Sequence, residues 1–260
     1  MNKSLRAKHI LEILEQRQVC SAADLQRELD VSAPTVYRDL RDLEDRGLVV
    51  AARGAVQLPM ATLRQDESAN TRFFLRLNRH RQEKNEIADK AARLVHDDDI
   101  VFADSSTTAF YFVKTLMAQH SRLSNLTLIT NSAAMLRELV DPPPTVTLIC
   151  LGGVYNAALN GFLGRMTLQT LQQLHITQAF VSAAAVSTAE VYTYHEHHAE
   201  FLGEVLRHAD KSHLLVDHAK FETKAVFPIA RTSSFASIVA DDALDPSVAA
   251  KYKAAGLAIV

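Results

Sequence analysis

The chain has 260 residues, and its 48% hydrophobic content excludes a disordered protein, because that much apolar side chain supports a sizeable buried core. The formal net charge of -2 excludes an overall basic field, so any contact with nucleic acid has to come from local patterning or from pairing two copies of one surface. Two distant cysteines, Cys20 and Cys150, exclude a disulfide framework and a cysteine zinc site. No apolar run reaches the roughly 18 to 20 residues of a membrane span, and the N-terminus lacks an apolar signal core, so we expect a cytoplasmic protein without a membrane partner.

Two short helices are predicted first. Apolar residues recur at helical spacing from Leu5 to Leu14 and predict the first of them. Ser21 followed by Asp24 resembles a capping box, in which a hydroxyl and a carboxylate satisfy free backbone N–H groups. A second helix is therefore expected to begin there and to run to about Asp30.

A third helix and a hairpin follow. Ser32 is placed to cap the helix, Pro34 lies in its first turn, and Gly47 is expected to end it. Apolar residues at i, i+4 and i+7 are expected to bury its inner face: Val36, Leu40 and Leu43. Two β-rich runs then flank Arg53 and Gly54 and predict a hairpin with its tip at that arginine. Three helices and a hairpin describe a winged helix-turn-helix.

The outer face of the third helix carries side chains that reach DNA phosphates and base edges. Short hydroxyls allow close approach, and arginine bonds guanine bidentately or holds a phosphate. The residues expected to bind DNA are Ser21, Ser32, Ala33, Thr35, Tyr37, Arg38, Arg41 and, at the hairpin tip, Arg53. The alternative is a solvated helix on which acidic residues pair with the arginines. Those acidic residues are Asp39, Asp42, Glu44 and Asp45.

The rest of the chain predicts a linker and an α/β domain. Residues 59–78 are polar and lack clean periodicity except near their end, so we expect a linker between a first domain at 1–58 and a second at 79–260. Beyond it, helices alternate with β-rich runs, which predicts a mostly parallel sheet covered on both faces. The predicted strands are IVFA, LTLIT, TVTLIC, QAFVS, HLLVD, SIVAD and LAIV.

Several motifs resemble the DeoR family of bacterial sugar-metabolism repressors, in order and over nearly the whole chain. The first domain contributes SAADLQRELDVSAPTVYRDLRDLEDRGLVVAARGAV, with Tyr37 where the family commonly has arginine. The second contributes EKNEIADKAARLVHDDDIVFADSSTTAFYFVKTL, NLTLITNS, LICLGGVYN, GFLG and VDHAKF. The resemblance implies a repressor of a carbohydrate-catabolism operon that binds operator DNA as a homodimer or homotetramer. It also implies a second domain of the ribose-phosphate isomerase/CoA-transferase type that senses a phosphorylated sugar or related metabolite, and no cofactor.

The strand ends of the second domain are consistent with such a site, because ligands of parallel sheets bind at the carboxyl ends of the strands. Hydroxyls and free N–H groups at a helix start after the first strand suit an anion, paired glycines admit a ligand near the backbone, and a lysine offers charge. The candidate residues are Asp104, Ser105, Ser106, Thr107, Thr108, Thr130, Asn131, Gly152, Gly153 and Lys220. Taken singly, each is explained as well by capping, a tight turn or a solvated cation. Their occurrence together favours a site.

Two departures from the family pattern bear on the ligand. Ala183 to Ala185 stand where glycine and aspartate are usual, and Leu202 stands where a lysine is frequent. The alanines remove a carboxylate that could bond sugar hydroxyls, so we expect a ligand different from the usual sugar phosphates.

Two other interpretations, an enzyme and a metal site, fit the sequence less well than regulation. An isomerase-like enzyme would recruit Asp104, Glu200 and Lys220 for proton transfer, but a fused DNA-binding domain would then be redundant, so no enzyme is expected. His195 and His198 are three apart and lack an evident third ligand, so no metal is expected either. These histidines are expected to line the mouth of a pocket or to lie in solvent.

Overall fold

The structure, a computed structural model, falls into two compact units. Met1–Glu67 is called here the N-terminal unit and Ser68–Val260 the C-terminal unit. The structure describes residues 3–17, 19–45, 49–52, 55–57 and 69–260. No helix within these ranges is both long enough and apolar enough to span a lipid bilayer.

Three helices and a small sheet make up the described part of the N-terminal unit. They are α1 (Lys3–Arg17), β1 (Val19–Ser21), α2 (Ala22–Leu29), α3 (Ala33–Asp45), β2 (Val50–Ala52) and β3 (Ala55–Gln57). β3 lies between β1 and β2 and pairs antiparallel with both. β1 was not predicted, because three residues are too few to show an alternating pattern. The predicted helix end at Gly47 and hairpin tip at Arg53 and Gly54 lie outside the described residues.

A capping box and a buried helix face hold α2 and α3 in place. The Ser21 hydroxyl accepts a hydrogen bond from the Asp24 N–H at 3.1 Å, and the Asp24 carboxylate accepts one from the Ser21 N–H at 3.0 Å. This confirms the predicted capping box. Val36, Leu40 and Leu43 are at most 4% exposed, which confirms the predicted inner face of α3.

The C-terminal unit alternates helices with strands along most of its length. In order it contains α4 (Ala69–Asn78), α5 (Arg81–Ala92), β4 (Ile100–Ala103), α6 (Thr107–Ala118), β5 (Leu126–Thr130), α7 (Ala133–Glu138), β6 (Val146–Cys150), β7 (Val154–Asn156), β8 (Gly161–Leu163), α8 (Arg165–Leu171), β9 (Ile176–Ser182), β10 (Ala185–Val186), β11 (Glu190–Thr193), α9 (Glu196–His208), β12 (Ala209–Leu215), β13 (Phe227–Arg231), β14 (Ser237–Val239) and α10 (Pro246–Ala254). Single 3-10 turns lie at His120–Arg122, His218–Lys220 and Thr232–Ser234.

Six of these strands form one parallel sheet, in the order β14-β12-β9-β4-β5-β6. Neighbouring residues on a strand enter different core clusters: Phe102 lies in one, and Val101 and Ala103 lie in the other. Because successive side chains of a strand point to opposite faces, both faces of the sheet are covered by apolar packing. The predicted mostly parallel α/β architecture is confirmed.

Short antiparallel pieces were missing from the prediction. β7 and β8 form a separate hairpin, and β10, β11 and β13 form a three-stranded sheet. The predicted last strand, LAIV, is wrong as a strand: it is limited to an isolated bridge between Ile259 and Ile238, and α10 precedes it. β7, β8, β10 and β11 have two to four residues, too few for the apolar run that reveals a buried strand, and the five residues of β13 include Pro228 and end in Arg231.

The register of the main sheet aligns the carboxyl ends of three strands. Ala103 of β4 lies opposite Thr130 of β5, and Thr130 lies opposite Cys150 of β6. The segments that leave these strands therefore start side by side, at the edge where parallel sheets bind ligands.

Candidate functional site

One polar face of α3 points away from the core of the N-terminal unit. Tyr37 is 63% exposed, and the side chains of Arg38 and Arg41 are exposed on the same helix. Within the part of the chain that the structure describes, neither arginine forms a hydrogen bond or an ion pair. Both guanidinium groups are therefore available to phosphates or to guanine edges.

Asp39 is one of the acidic residues that the solvated-helix alternative pairs with these arginines, but it forms its hydrogen bonds within the N-terminal unit. Asp39 is only 2% exposed, and its carboxylate accepts two hydrogen bonds from the Arg6 guanidinium, at 2.7 Å from Nε and 3.2 Å from Nη2. This bidentate pair joins α1 to α3. The alternative is wrong for Asp39, because that carboxylate faces α1 rather than the exposed arginines.

The other residues expected at DNA differ in their availability. Ser32 and Thr35 share a hydroxyl contact of 2.9 Å at the start of α3, and Ala33 is the first residue of that helix. The Ser21 hydroxyl is occupied in the capping box, where it also donates to Asp24 at 2.7 Å. Arg53 lies outside the described residues.

In the C-terminal unit, two of the predicted effector residues have structural partners. The Ser106 hydroxyl donates to Asp104 Oδ1 at 2.6 Å and accepts from the Ala109 N–H at 3.1 Å, so it caps α6. The Thr130 hydroxyl donates to the Ala103 carbonyl at 2.8 Å. Capping and turn bonding thus account for these two hydroxyls. Thr107 and Thr108 lie buried in the first turn of α6.

Gly161 of β8 packs closely against the residues that follow β4 and β5. A Cβ atom on Gly161 would lie 2.5 Å from Ser105 Cβ and 3.1 Å from the Asn131 carbonyl oxygen. The next residue, Phe162, exchanges two hydrogen bonds with Asn131: its N–H donates to the Asn131 carbonyl at 2.8 Å, and its carbonyl accepts from Asn131 Nδ2 at 3.0 Å. β8 therefore packs directly on the predicted site. The sequence analysis missed Gly161, whose only signal was the motif GFLG.

The paired glycines pack against a helix. Gly153 has a φ of 148° and faces the side chain of Thr167, whose hydroxyl donates to the Gly152 carbonyl at 2.8 Å. A close approach of backbone and side chain thus explains Gly153 without a ligand.

Three residues with buried polar atoms follow the ends of β4 and β5, and a fourth, His198, lies beside Asp104; we call them the polar cluster: Asp104, Ser105, Asn131 and His198. Among the described residues, Asp104 Oδ2, Ser105 Oγ, Asn131 Oδ1 and His198 Nε2 have no hydrogen-bond partner. His198 Nε2 lies 3.9 Å from Asp104 Oδ2, and His198 Nδ1 lies 3.3 Å from the Thr193 hydroxyl. A buried polar atom without a partner costs about 1 to 3 kcal/mol, so a native protein that carries several is suited to a polar ligand or water there.

His198 is buried, which corrects the expectation that it lies at a pocket mouth or in solvent. It is 6% exposed and shares one face of α9 with Phe201, Leu202 and Val205, all buried. That apolar face turns the imidazole inward. Burial lowers the pKa of His198 to about 4, and burial raises the pKa of Asp104 to about 7. His195, by contrast, is exposed.

A basic group lies in the same unit, made of Arg76, Lys84 and Lys220 with Asp217. Lys84 is 4% exposed, and its ammonium donates to the carbonyls of Arg76 and Arg79. Burial lowers its pKa to about 8, the Asp217 charge opposes that shift, and the Lys220 and Arg76 charges reinforce it. Arg76 also lowers the pKa of His198, so its field reaches both the basic group and the polar cluster. In the sequence, Lys84 could have been recognised because it lies on the apolar face of α5.

Across the described ranges, no three histidine, cysteine or carboxylate side chains come close enough together to form a metal-binding set.

Both parts of the chain match known protein families. Residues 79–242 match the family described as the DeoR C terminal sensor domain, and residues 6–55 match a family described as an HTH domain. The chain belongs to the DeoR family. It is therefore a DNA-binding transcriptional regulator and not an enzyme, and the isomerase alternative is set aside.

Similar DeoR-type proteins match along nearly their whole length. The chain is 28% identical over 244 residues to the L-fucose operon activator of Haemophilus influenzae, covering 94% of this chain and 93% of that one. It is 29% identical over 246 residues to the lactose phosphotransferase system repressor of Lactococcus lactis, covering 95% and 94%.

Among solved structures, a D-ribose-5-phosphate isomerase in complex with phospho-erythronic acid matches 54% of this chain and 54% of its own, with 18% identity and a TM-score of 0.40.

Proposed function

We propose that this DeoR-family regulator represses a carbohydrate-catabolism operon in the cytoplasm, and that a phosphorylated sugar or related metabolite controls it. DNA binding is assigned to residues 1–58 and effector binding to residues 79–260, joined by residues 59–78. The similar proteins named above are an activator of an L-fucose operon and a repressor of a lactose phosphotransferase system. These names support sugar metabolism as the regulated process.

The operator surface is the outer face of α3. Arg38 and Arg41, which have no partner among the described residues, support it beside the exposed Tyr37, with Ser32, Ala33 and Thr35 at the helix start. Ser21 contributes by fixing α2, and Arg53 by reaching the DNA backbone or a minor groove. Two copies of one such surface, in a homodimer or homotetramer, would read a two-fold symmetric operator.

The observation that carries the effector site is the polar cluster, whose buried atoms lack partners within the described residues. It lies at the aligned strand ends, with the start of α6 alongside and with Gly152 and Gly153 after β6. Lys220 and Lys84 supply positive charge for a phosphate. We therefore retain the predicted residues Asp104, Ser105, Thr107, Thr108, Asn131 and Lys220 as effector contacts, add His198 and Lys84, and assign Ser106 and Thr130 to structural hydrogen bonds beside the site.

Control of DNA binding requires that the effector prefer one arrangement of the oligomer over another. The test is fluorescence anisotropy with a labelled fragment from upstream of the regulated genes, titrated with the full-length protein. Hexose 6-phosphates and pentose 5-phosphates are then added one at a time. We expect at least one to weaken operator binding; if none changes the affinity in either direction, the proposed sensor function is wrong.

A further inference from the structure

The turn between β7 and β8, residues 157–160, contacts both the candidate effector site and α4. We infer that this turn transmits occupancy of the effector site to α4, through the hydrogen bond that Arg76 donates to the Ala158 carbonyl. The inference rests on the function proposed above and adds the route by which a bound effector acts on the chain that leads to the DNA-binding residues.

Close contacts hold β8 and the end of the turn on the effector site. The Asn160 carbonyl accepts a hydrogen bond from the Ala133 N–H at 2.9 Å, beside the two hydrogen bonds that β8 forms with Asn131. Gly161 lies so near Ser105 that a Cβ atom on it would be 2.5 Å from the Ser105 Cβ. Because packed protein interiors have little free volume, a ligand that shifts Ser105 or Asn131 also shifts β8.

The turn is closed by hydrogen bonds of its own. Its four residues follow Asn156, the last residue of β7. The Asn160 N–H donates to the Ala157 carbonyl at 3.3 Å, and the Leu159 N–H donates to Asn156 Oδ1 at 3.2 Å. A displacement of β8 therefore carries the Ala158 carbonyl with it.

On its other side the turn is bonded to α4. Arg76 Nη2 donates to the Ala158 carbonyl at 2.8 Å, a contact between residues 82 positions apart in the chain. The Arg76 side chain is exposed, so water replaces this bond readily once the turn moves. α4 is thus bonded to the turn in one state and released from it in the other.

Two buried contacts hold α4 independently of the turn. Phe73 is fully buried, and its ring meets that of Phe110 edge-on with centroids 6.5 Å apart. Buried Lys84 donates to the carbonyls of Arg76 and Arg79 at the end of the helix. The exposed Arg76 bond is therefore the contact that changes while α4 stays attached, and its loss changes the orientation of the helix on these two anchors.

α4 leads directly to the DNA-binding part of the chain. It begins at Ala69, two residues after the N-terminal unit ends at Glu67. In a homo-oligomer, the spacing of two DNA-binding units on an operator depends on where each chain leaves its C-terminal unit. A change in the orientation of α4 therefore changes operator affinity.

The experiment compares Arg76→Ala with Arg79→Ala in the full-length protein. Arg79 is exposed and lies three residues further on, so its replacement removes the same charge and leaves the bond to Ala158 in place. Operator affinity is measured by fluorescence anisotropy without and with a saturating concentration of the hexose 6-phosphate or pentose 5-phosphate that changes wild-type affinity most. We expect the ratio of the two affinities to fall about 3- to 10-fold toward 1 in Arg76→Ala, the effect of one hydrogen bond, and to keep its wild-type value in Arg79→Ala.

Hydrogen exchange supplies a second readout that needs no DNA. In the wild type, the same compound should change the exchange rates of backbone amides in both 157–160 and 69–78. In Arg76→Ala it should change them in 157–160 alone.

The outcomes separate this route from the proposed function. If the compound changes the operator affinity of Arg76→Ala as much as that of the wild type, or still changes exchange at 69–78 in that variant, the route through Arg76 is wrong while the sensor function stands. An equal loss in Arg79→Ala would assign the effect to charge rather than to the hydrogen bond and would also overturn the inference. If no hexose or pentose phosphate changes wild-type operator affinity, the proposed function fails and the inference fails with it.

Discussion

The polar groups without a described partner lie in solvent in one unit and in the buried interior of the other. In the N-terminal unit, Arg38 and Arg41 have no described partner but lie in solvent, where water satisfies them at no cost to the fold. In the C-terminal unit, Asp104 and His198 have buried atoms without a described partner, and each such atom destabilises the folded state. Changes at the DNA surface should therefore alter binding and leave stability unchanged, whereas changes in the polar cluster should alter both.

The largest effect is expected from Asp104→Asn. Burial raises the pKa of Asp104 from its ordinary 3.8 to about 7 in the folded protein. The protonated carboxyl therefore contributes to stability fully below pH 3.8, and this contribution is lost as the pH rises from 3.8 through 7. The variant should exceed the wild type in free energy of unfolding at pH 8 by on the order of 4 kcal/mol, at 1.36 kcal/mol per pKa unit. Urea unfolding at pH 8 and pH 4 measures it. A difference that fails to shrink at pH 4 would mean that ionisation is not the cause.

His198 should show the opposite pH dependence, with a slightly smaller size. Burial lowers its pKa to about 4, so its contribution is complete above pH 6.5 and is lost as the pH falls from 6.5 to 4. That loss is on the order of 3 kcal/mol. We expect His198→Gln to abolish this part of the acid destabilisation in the same urea titration. An unchanged acid limb would show that His198 is not buried as described.

Arg38→Ala and Arg41→Ala should act on DNA binding alone. Each is expected to weaken operator binding by about 1 to 3 kcal/mol, roughly 5- to 150-fold, and losing a phosphate contact lowers the salt slope by about one. Melting temperatures should stay at the wild-type value, because neither side chain has a described partner to lose. Arg207→Ala removes the same charge from α9 and serves as the control. Normal operator affinity in both α3 variants would move the recognition surface elsewhere.

The smallest effect is the contrast between two neighbouring serines in the free protein. Ser106→Ala removes the α6 cap and should cost about 1 kcal/mol of unfolding free energy. Ser105→Ala should cost nothing or be slightly stabilising, because its hydroxyl is buried without a described partner. Thermal unfolding of the two variants side by side measures this, and an equal loss in both would remove the reason for treating Ser105 as a ligand contact.

Local patterns were sufficient to predict much of the fold. The capping box at Ser21 and the buried face of α3 follow from spacing within a few residues, and the parallel sheet follows from apolar runs between helices. The same reasoning selected the ends of β4 and β5, where buried polar atoms without a described partner lie. It did not separate Ser105 from Ser106, because a capping hydroxyl and an unpartnered one look identical in a sequence.

Contacts between distant segments account for what was missed. Gly161 matters because β8 packs on Ser105 and Asn131, and His198 is buried because α9 packs its apolar face inward. Lys84 is held by carbonyls of the chain before α5. Each depends on tertiary packing, which periodicity and residue type do not report.

The most direct test of the central claim, that occupancy of the C-terminal unit controls operator binding, is a linkage measurement. The sugar phosphate that most raises the melting temperature is titrated into the protein with and without operator DNA. The claim predicts that this compound changes operator affinity at least about 5-fold and that operator DNA changes the compound's affinity by the same factor. A compound that stabilises the protein yet leaves both affinities unchanged would contradict it.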